Sequence, residues 1–80
     1  MEKKILDFTV LIEQDEEGWY VATVPDIQGC HTQGRTIQEV LERIKEAIEL
    51  CLEADKEDIE QMKFIGIQRI QVKKPVVIPE

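Results

Sequence analysis

The sequence predicts an α+β domain: a three- to four-stranded, mainly antiparallel sheet with one α-helix packed on one face, in the order β-β-β-α-β. Three observations carry this expectation. Two β-rich stretches, residues 5–13 and 19–25, flank a polar turn that ends in Gly18. A capping signal at Thr36 and Glu39 opens a run of apolar residues at helical spacing. A chain of 80 residues has room for one such domain and for little core of its own, so self-association is expected from size alone.

Each element follows from its residues. Residues 5–13, Ile-Leu-Asp-Phe-Thr-Val-Leu-Ile-Glu, read as the first strand, and residues 19–25 as its return, ended by Pro25. Pairing Glu13 with Trp19 across a five-residue loop, 14–18, sets Ile12 against Tyr20, Val10 against Ala22 and Phe8 against Val24 on one face. Leu11 with Val21 and Thr9 with Thr23 then share the other face, which no helix is left to cover. Residues 26–29 make a turn and residues 30–33 a short third strand before Gly34. Ile37, Val40, Leu41, Ile44, Ile48, Cys51 and Leu52 fall within one helical stripe, which the apolar hairpin face can cover. Residues 55–62 are polar and loop-like with room for a helical turn, and residues 64–73 read as a fourth strand. There the apolar positions change parity, from Ile65 and Ile67 to Ile70 and Val72, which calls for a bulge or two covered faces. The domain is thus expected over residues 1–73, followed by an extended tail, 74–80, whose apolar residues are bracketed by prolines.

Charge is unevenly placed. The net charge is -7, but residues 1–61 hold 16 acidic and 6 basic side chains, whereas residues 62–80 hold Lys63, Arg69, Lys73 and Lys74 against Glu80. An acidic body repels phosphate backbones and attracts basic proteins, so direct nucleic-acid binding is not expected of this domain. No secretory leader and no run of transmembrane length is visible, which makes a cytoplasmic protein with reduced thiols the expectation.

Catalytic and metal chemistry find no footing. Cys30 and His31 are adjacent rather than spaced for coordination, and on a strand they point to opposite faces, so His31 cannot serve Cys30 as a base. Cys51 belongs to the apolar helix stripe. The acids 15–17 and 55–60 sit in polar turns where solvation keeps their chemistry ordinary. No catalytic residue, metal site or cofactor is expected. The opposite helix face is more telling: Glu39, Glu42, Glu46, Glu49 and Glu53 form a stripe with like-charge pairs four residues apart, beside a projecting Leu50. A solvated face is one reading, a surface awaiting a cationic partner the other. Leu11, Trp19 and Val21 on the uncovered sheet face, with Trp19 as anchor, are candidate partner-binding residues.

Residues 15–22, Asp-Glu-Glu-Gly-Trp-Tyr-Val-Ala, lead into Val24-Pro25-Asp26-Ile27-Gln28-Gly29-Cys30, then Thr32-Gln33-Gly34 and Thr36-Ile37-Gln38-Glu39. In this order and spacing they resemble the HicB-type antitoxin domain over about residues 8–54, and residues 64–70 resemble the closing strand of its short members. The resemblance implies a partial ribonuclease-H-like fold without that enzyme's catalytic carboxylates. It also implies a homodimer or higher homo-oligomer, and a small basic HicA-type toxin, an mRNA endoribonuclease, whose RNA-binding surface is covered by the antitoxin. Partner contacts are then expected at Leu11, Trp19, Val21, Asp26, Glu42, Glu46, Glu49 and Leu50, and self-association at Ile67, Ile70, Val72, Val76 and Val77. The helix-turn-helix or ribbon-helix-helix module of many members does not follow, so the resemblance does not carry their DNA binding and self-repression over to this chain. A solitary oligomeric domain with a different ligand is the alternative function.

Overall fold

The computed structural model describes residues 5–54 and 61–78. Three strands, β1 (Leu11–Gln14), β2 (Tyr20–Thr23) and β3 (His31–Gly34), form an antiparallel sheet in the order β1-β2-β3, and one helix, α1 (Ile37–Ala54), follows.

The first hairpin is tighter than its sequence predicts. Gln14 pairs with Tyr20 and Leu11 with Thr23, and the Asp15 N–H donates to the Trp19 carbonyl at 2.9 Å, so the loop is three residues rather than five. Two devices close it. The Asp15 carboxylate accepts the N–H groups of Glu17 and Trp19, each at 2.9 Å, and Gly18 takes a positive φ of 92°. The expected pairs of Ile12 with Tyr20 and of Leu11 with Val21 are therefore replaced by Ile12 with Ala22 and Leu11 with Thr23. The shift is by two residues, so every side chain keeps the face expected of it.

Helix α1 starts where the capping signal places it, with Thr36 Oγ1 accepting the Glu39 N–H at 3.0 Å. The reciprocal half of the capping box is absent, because the Glu39 carboxylate turns to Arg43 Nη2 at 2.7 Å. Arg43 also donates through Nη1 to the Gln33 carbonyl at 2.9 Å and so ties the helix to β3. The helix rests on β2 and β3 and not on β1. It lies close over Gly34, where an added Cβ would lie 3.0 Å from the Val40 nitrogen.

The core is small: Ala22, Val24, Cys30, Val40 and Ile44 are buried, flanked by half-buried Phe8, Val10, Tyr20, Ile27, Ala47, Ile48 and Cys51. The helix stripe is only partly covered, and Leu41 remains 44% exposed. Burial, and then the neighbouring Cys51 thiol, push the Cys30 thiol up from 9.0 to about 11. The folded chain therefore keeps a proton that the unfolded chain releases, so this contribution to stability is full below pH 9 and is lost as the pH rises towards about 11. Urea midpoints measured across that window are expected to fall, and Cys30→Ala to flatten the decline while lowering stability throughout. An equal decline in the variant would exclude Cys30 as its source.

Residues 61–78 depart from the expected fourth strand. They pair with no strand among the described residues and stand exposed. Residues 61–78 thus form an exposed arm, and the three-stranded sheet is the whole of the intrachain sheet among the described residues. The radius of gyration is 17.1 Å and the longest extent 69 Å, whereas a compact chain of this length has a radius of about 12 Å. For residues 55–60 the expected polar loop lies outside the described residues.

Candidate functional site

Three surfaces remain once the core is accounted for. The first is the outer face of α1. Its i, i+4 spacing aligns Glu42, Glu46, Glu49 and Glu53, all exposed, with Leu50 beside them at 65% exposure. Among the described residues the one ion pair of the helix is Glu39 with Arg43, and Gln38 reaches Glu42 across a weak 3.4 Å hydrogen bond. The stripe therefore carries its charge into solvent. Residues 5–54 hold 11 carboxylates against Arg35, Arg43 and Lys45.

The second is the sheet face turned away from the helix. It gathers Leu11, Val21 and Trp19 as expected, but they are half-buried rather than open. The Arg35 guanidinium stacks 4.6 Å above the Trp19 ring, and the first residues of the arm, 62–67, border a hollow beside Leu11, Pro25 and Asp26. Asp26 holds the base of the arm, its carboxylate accepting the Met62 N–H at 3.4 Å, while the Gln61 side-chain amide donates to the Asp7 carbonyl. The predicted partner-binding residues thus split into two groups on opposite sides of the molecule: Leu11, Trp19, Val21 and Asp26 on one, and Glu42, Glu46, Glu49 and Leu50 on the other.

The third surface is one that the sequence does not announce. Because α1 lies over β2 and β3, its flank overhangs the side of the sheet on which β1 begins. An apolar groove of about 400 Å3 opens there between Leu6, Phe8 and Val10 on one wall and Leu41, Ile48 and Leu52 on the other. Lys45 and Glu49 stand at its rim. The sequence holds a hint of it, since the apolar stripe of the helix is wider than a short hairpin can cover. The residues expected to mediate self-association, Ile67, Ile70, Val72, Val76 and Val77, all lie along the exposed arm.

Among the described residues no three His, Cys, Asp or Glu side chains cluster to hold a metal ion, and no helix is long and apolar enough to cross a membrane.

The family described as the HicB-like antitoxin of bacterial toxin-antitoxin systems matches residues 8–74. A UPF0150 protein of Archaeoglobus fulgidus is 50% identical over 68 residues, covering 85% of this chain and 97% of its own length. The UPF0150 protein ssr1258 of Synechocystis is 48% identical over 66 residues, 82% of this chain and 94% of its own. The UPF0150 protein Ta0767 of Thermoplasma acidophilum is 42% identical over 67 residues, 84% of this chain and 97% of its own. With the matched region spanning the sheet, the helix and most of the arm, the chain belongs to the HicB-like antitoxin family.

Proposed function

We propose that the protein is the antitoxin of a type II pair, acting in the cytoplasm without catalysis or cofactor. In this reading it neutralises a small basic HicA-type mRNA endoribonuclease by covering its RNA-binding surface. The observation that carries the reading is the outer face of α1, where four exposed glutamates run beside an exposed leucine. A protein that binds RNA presents cations to phosphates, and this stripe offers it carboxylates in their place, with Leu50 as an apolar anchor among them. The sheet face with Leu11, Trp19 and Val21 is already bordered by Arg35 and the arm, so the helix face is the better candidate for the toxin contact.

The test is inhibition of RNA cleavage by a purified HicA-type toxin. Stoichiometric inhibition is expected at low salt, weakening as screening shortens from about 10 Å at 0.1 M to about 3 Å at 1 M ionic strength. Failure to form a complex at low salt, or inhibition indifferent to salt, would remove the proposal.

A further inference from the structure

Two thiols lie outside the surfaces described above, and the fold brings them together. We propose that Cys30 and Cys51 form a modification site for hydroperoxides, which join them in a disulfide that fastens the last turn of α1 to the start of β3. This inference stands apart from the toxin reading and does not depend on it.

The juxtaposition follows from register. Only Arg35 and Thr36 separate β3 from α1, so the helix folds back over the strand it has just left, and Val40 comes down on Gly34. Cys30 precedes Gly34 by four residues. That even number keeps it on the helix side of the sheet, about 13 Å back along the strand. Cys51 follows Val40 by eleven residues. These make about three full turns, which return it to the buried side of the helix about 16 Å further on. The two paths end nearly level, and Cys51 packs against the core cluster that contains the buried Cys30. Burial first, and then the Cys51 thiol, hold the proton on Cys30, a coupling felt between neighbouring groups. Both cysteines are free, and the chain has no third sulfhydryl to compete with them.

The two sulfurs differ in the way the chemistry requires. The backbone at Cys30 is fixed: its N–H donates to the Ile27 carbonyl at 3.1 Å and its carbonyl accepts the Val24 N–H at 3.0 Å. Cys51 is half-buried in the last turn of α1, where a small oxidant reaches it and the helix end can adjust to the Cα separation of less than about 7 Å that a disulfide needs. Cys51, as its thiolate, attacks one oxygen of the hydroperoxide. The O–O bond breaks, the remainder leaves with the thiol's proton as an alcohol, or as water from hydrogen peroxide, and Cys51 becomes a sulfenic acid. The Cys30 sulfur then attacks Cys51 Sγ. The S–S bond forms as the S–O bond breaks, and the hydroxyl leaves as water with the proton that burial has kept on Cys30. Two thiols thus give up two electrons and two protons, and one hydroperoxide takes them up. The new bond closes a loop of about 20 residues that holds β3 and most of α1, which restricts the unfolded chain far more than the folded one.

The experiment exposes the purified full chain to a few equivalents of hydrogen peroxide under native conditions. A 9.3 kDa monomer lighter by two hydrogens is expected, with one cross-linked peptide pair joining Cys30 to Cys51. The melting temperature is expected to rise by about 10 °C, and dithiothreitol to reverse both changes. Cys51→Ser, at the half-buried site, is expected to abolish the rise. Cys30→Ala is expected to leave a sulfenic acid on Cys51 that dimedone captures. Should that core variant fail to fold, the parent chain quenched early with dimedone carries the same adduct at Cys51. Two thiols that survive the peroxide, a disulfide between two chains, a dimedone adduct at Cys30 instead of Cys51, a cross-link that forms only in urea, or one that leaves the melting temperature unchanged would each overturn the proposal.

Discussion

Replacing Gly34 with valine is expected to destabilise the domain by about 3 kcal/mol, near the top of the range for overpacking a core. The cause is steric and not a matter of φ. A Cβ at this position meets the Val40 nitrogen at 3.0 Å and the Val40 Cα at 3.2 Å, both of them backbone atoms of the helix. A flexible side chain could swing away, but the helix has little freedom to do so. Thr36 caps its first turn and Arg43 binds the carbonyl of Gln33, the residue next to Gly34, so lifting the helix off β3 breaks these contacts as well. Val40 and Ile44 provide the helix's buried share of a five-residue core, and they would be displaced together. For a domain of this size a loss of 3 kcal/mol lowers the melting temperature by more than about 10 °C. Thermal unfolding followed by circular dichroism checks this, and a fall of less than about 3 °C would mean that the helix sits less firmly on β3 than its contacts indicate.

Gly34 also marks how far the sequence can be read. That the chain folds as hairpin, third strand and helix is legible, because alternation and capping are local signals. The hairpin loop differs from expectation in length and not in face. Asp15, Gly18 and the residues between them already hold the chemistry of a three-residue loop, a carboxylate to take two N–H groups and a glycine to take positive φ. The fourth strand fails for a different reason. The β character of residues 64–73 is genuine, but a strand needs a partner, and local pattern does not say whether that partner belongs to the same chain. The acidic stripe is legible because i, i+4 spacing alone places Glu42, Glu46, Glu49 and Glu53 on one side of a helix. The groove is not, because it depends on where α1 lies across the sheet. Only the placement of the helix over β2 and β3 leaves Leu41 and Leu52 facing Phe8 and Val10 across an open gap.

Reversing Glu42, Glu46 and Glu49 together to lysine is expected to weaken toxin binding by about 100- to 1,000-fold, or about 2.7–4.1 kcal/mol. The three side chains are exposed and the ion pair of Glu39 with Arg43 does not involve them, so the fold loses nothing it relies on. Within the helix the reversal mostly exchanges one like-charge pair for another. The charges at positions 42 and 46 change sign but still repel, the new cation at position 49 attracts Glu53 and repels Lys45, and the net change is a few tenths of a kcal/mol. Unfolding therefore cannot account for lost affinity, and an unchanged melting curve verifies this. The reversal acts through charge in two ways. Long-range attraction of a basic protein is lost, which slows association and removes its salt dependence, and like charges are set against each other in the complex. Glutamine at the same three positions separates these effects. It removes the attraction without adding repulsion and is expected to cost only about tenfold, mainly in the association rate. Leu50→Ala should do the opposite, speeding dissociation while leaving the salt dependence intact, because an apolar anchor holds a complex together after charge has brought it into place. If the lysine variant inhibits the toxin as well as the parent chain does, the helix face is a solvated surface and the toxin contact lies elsewhere.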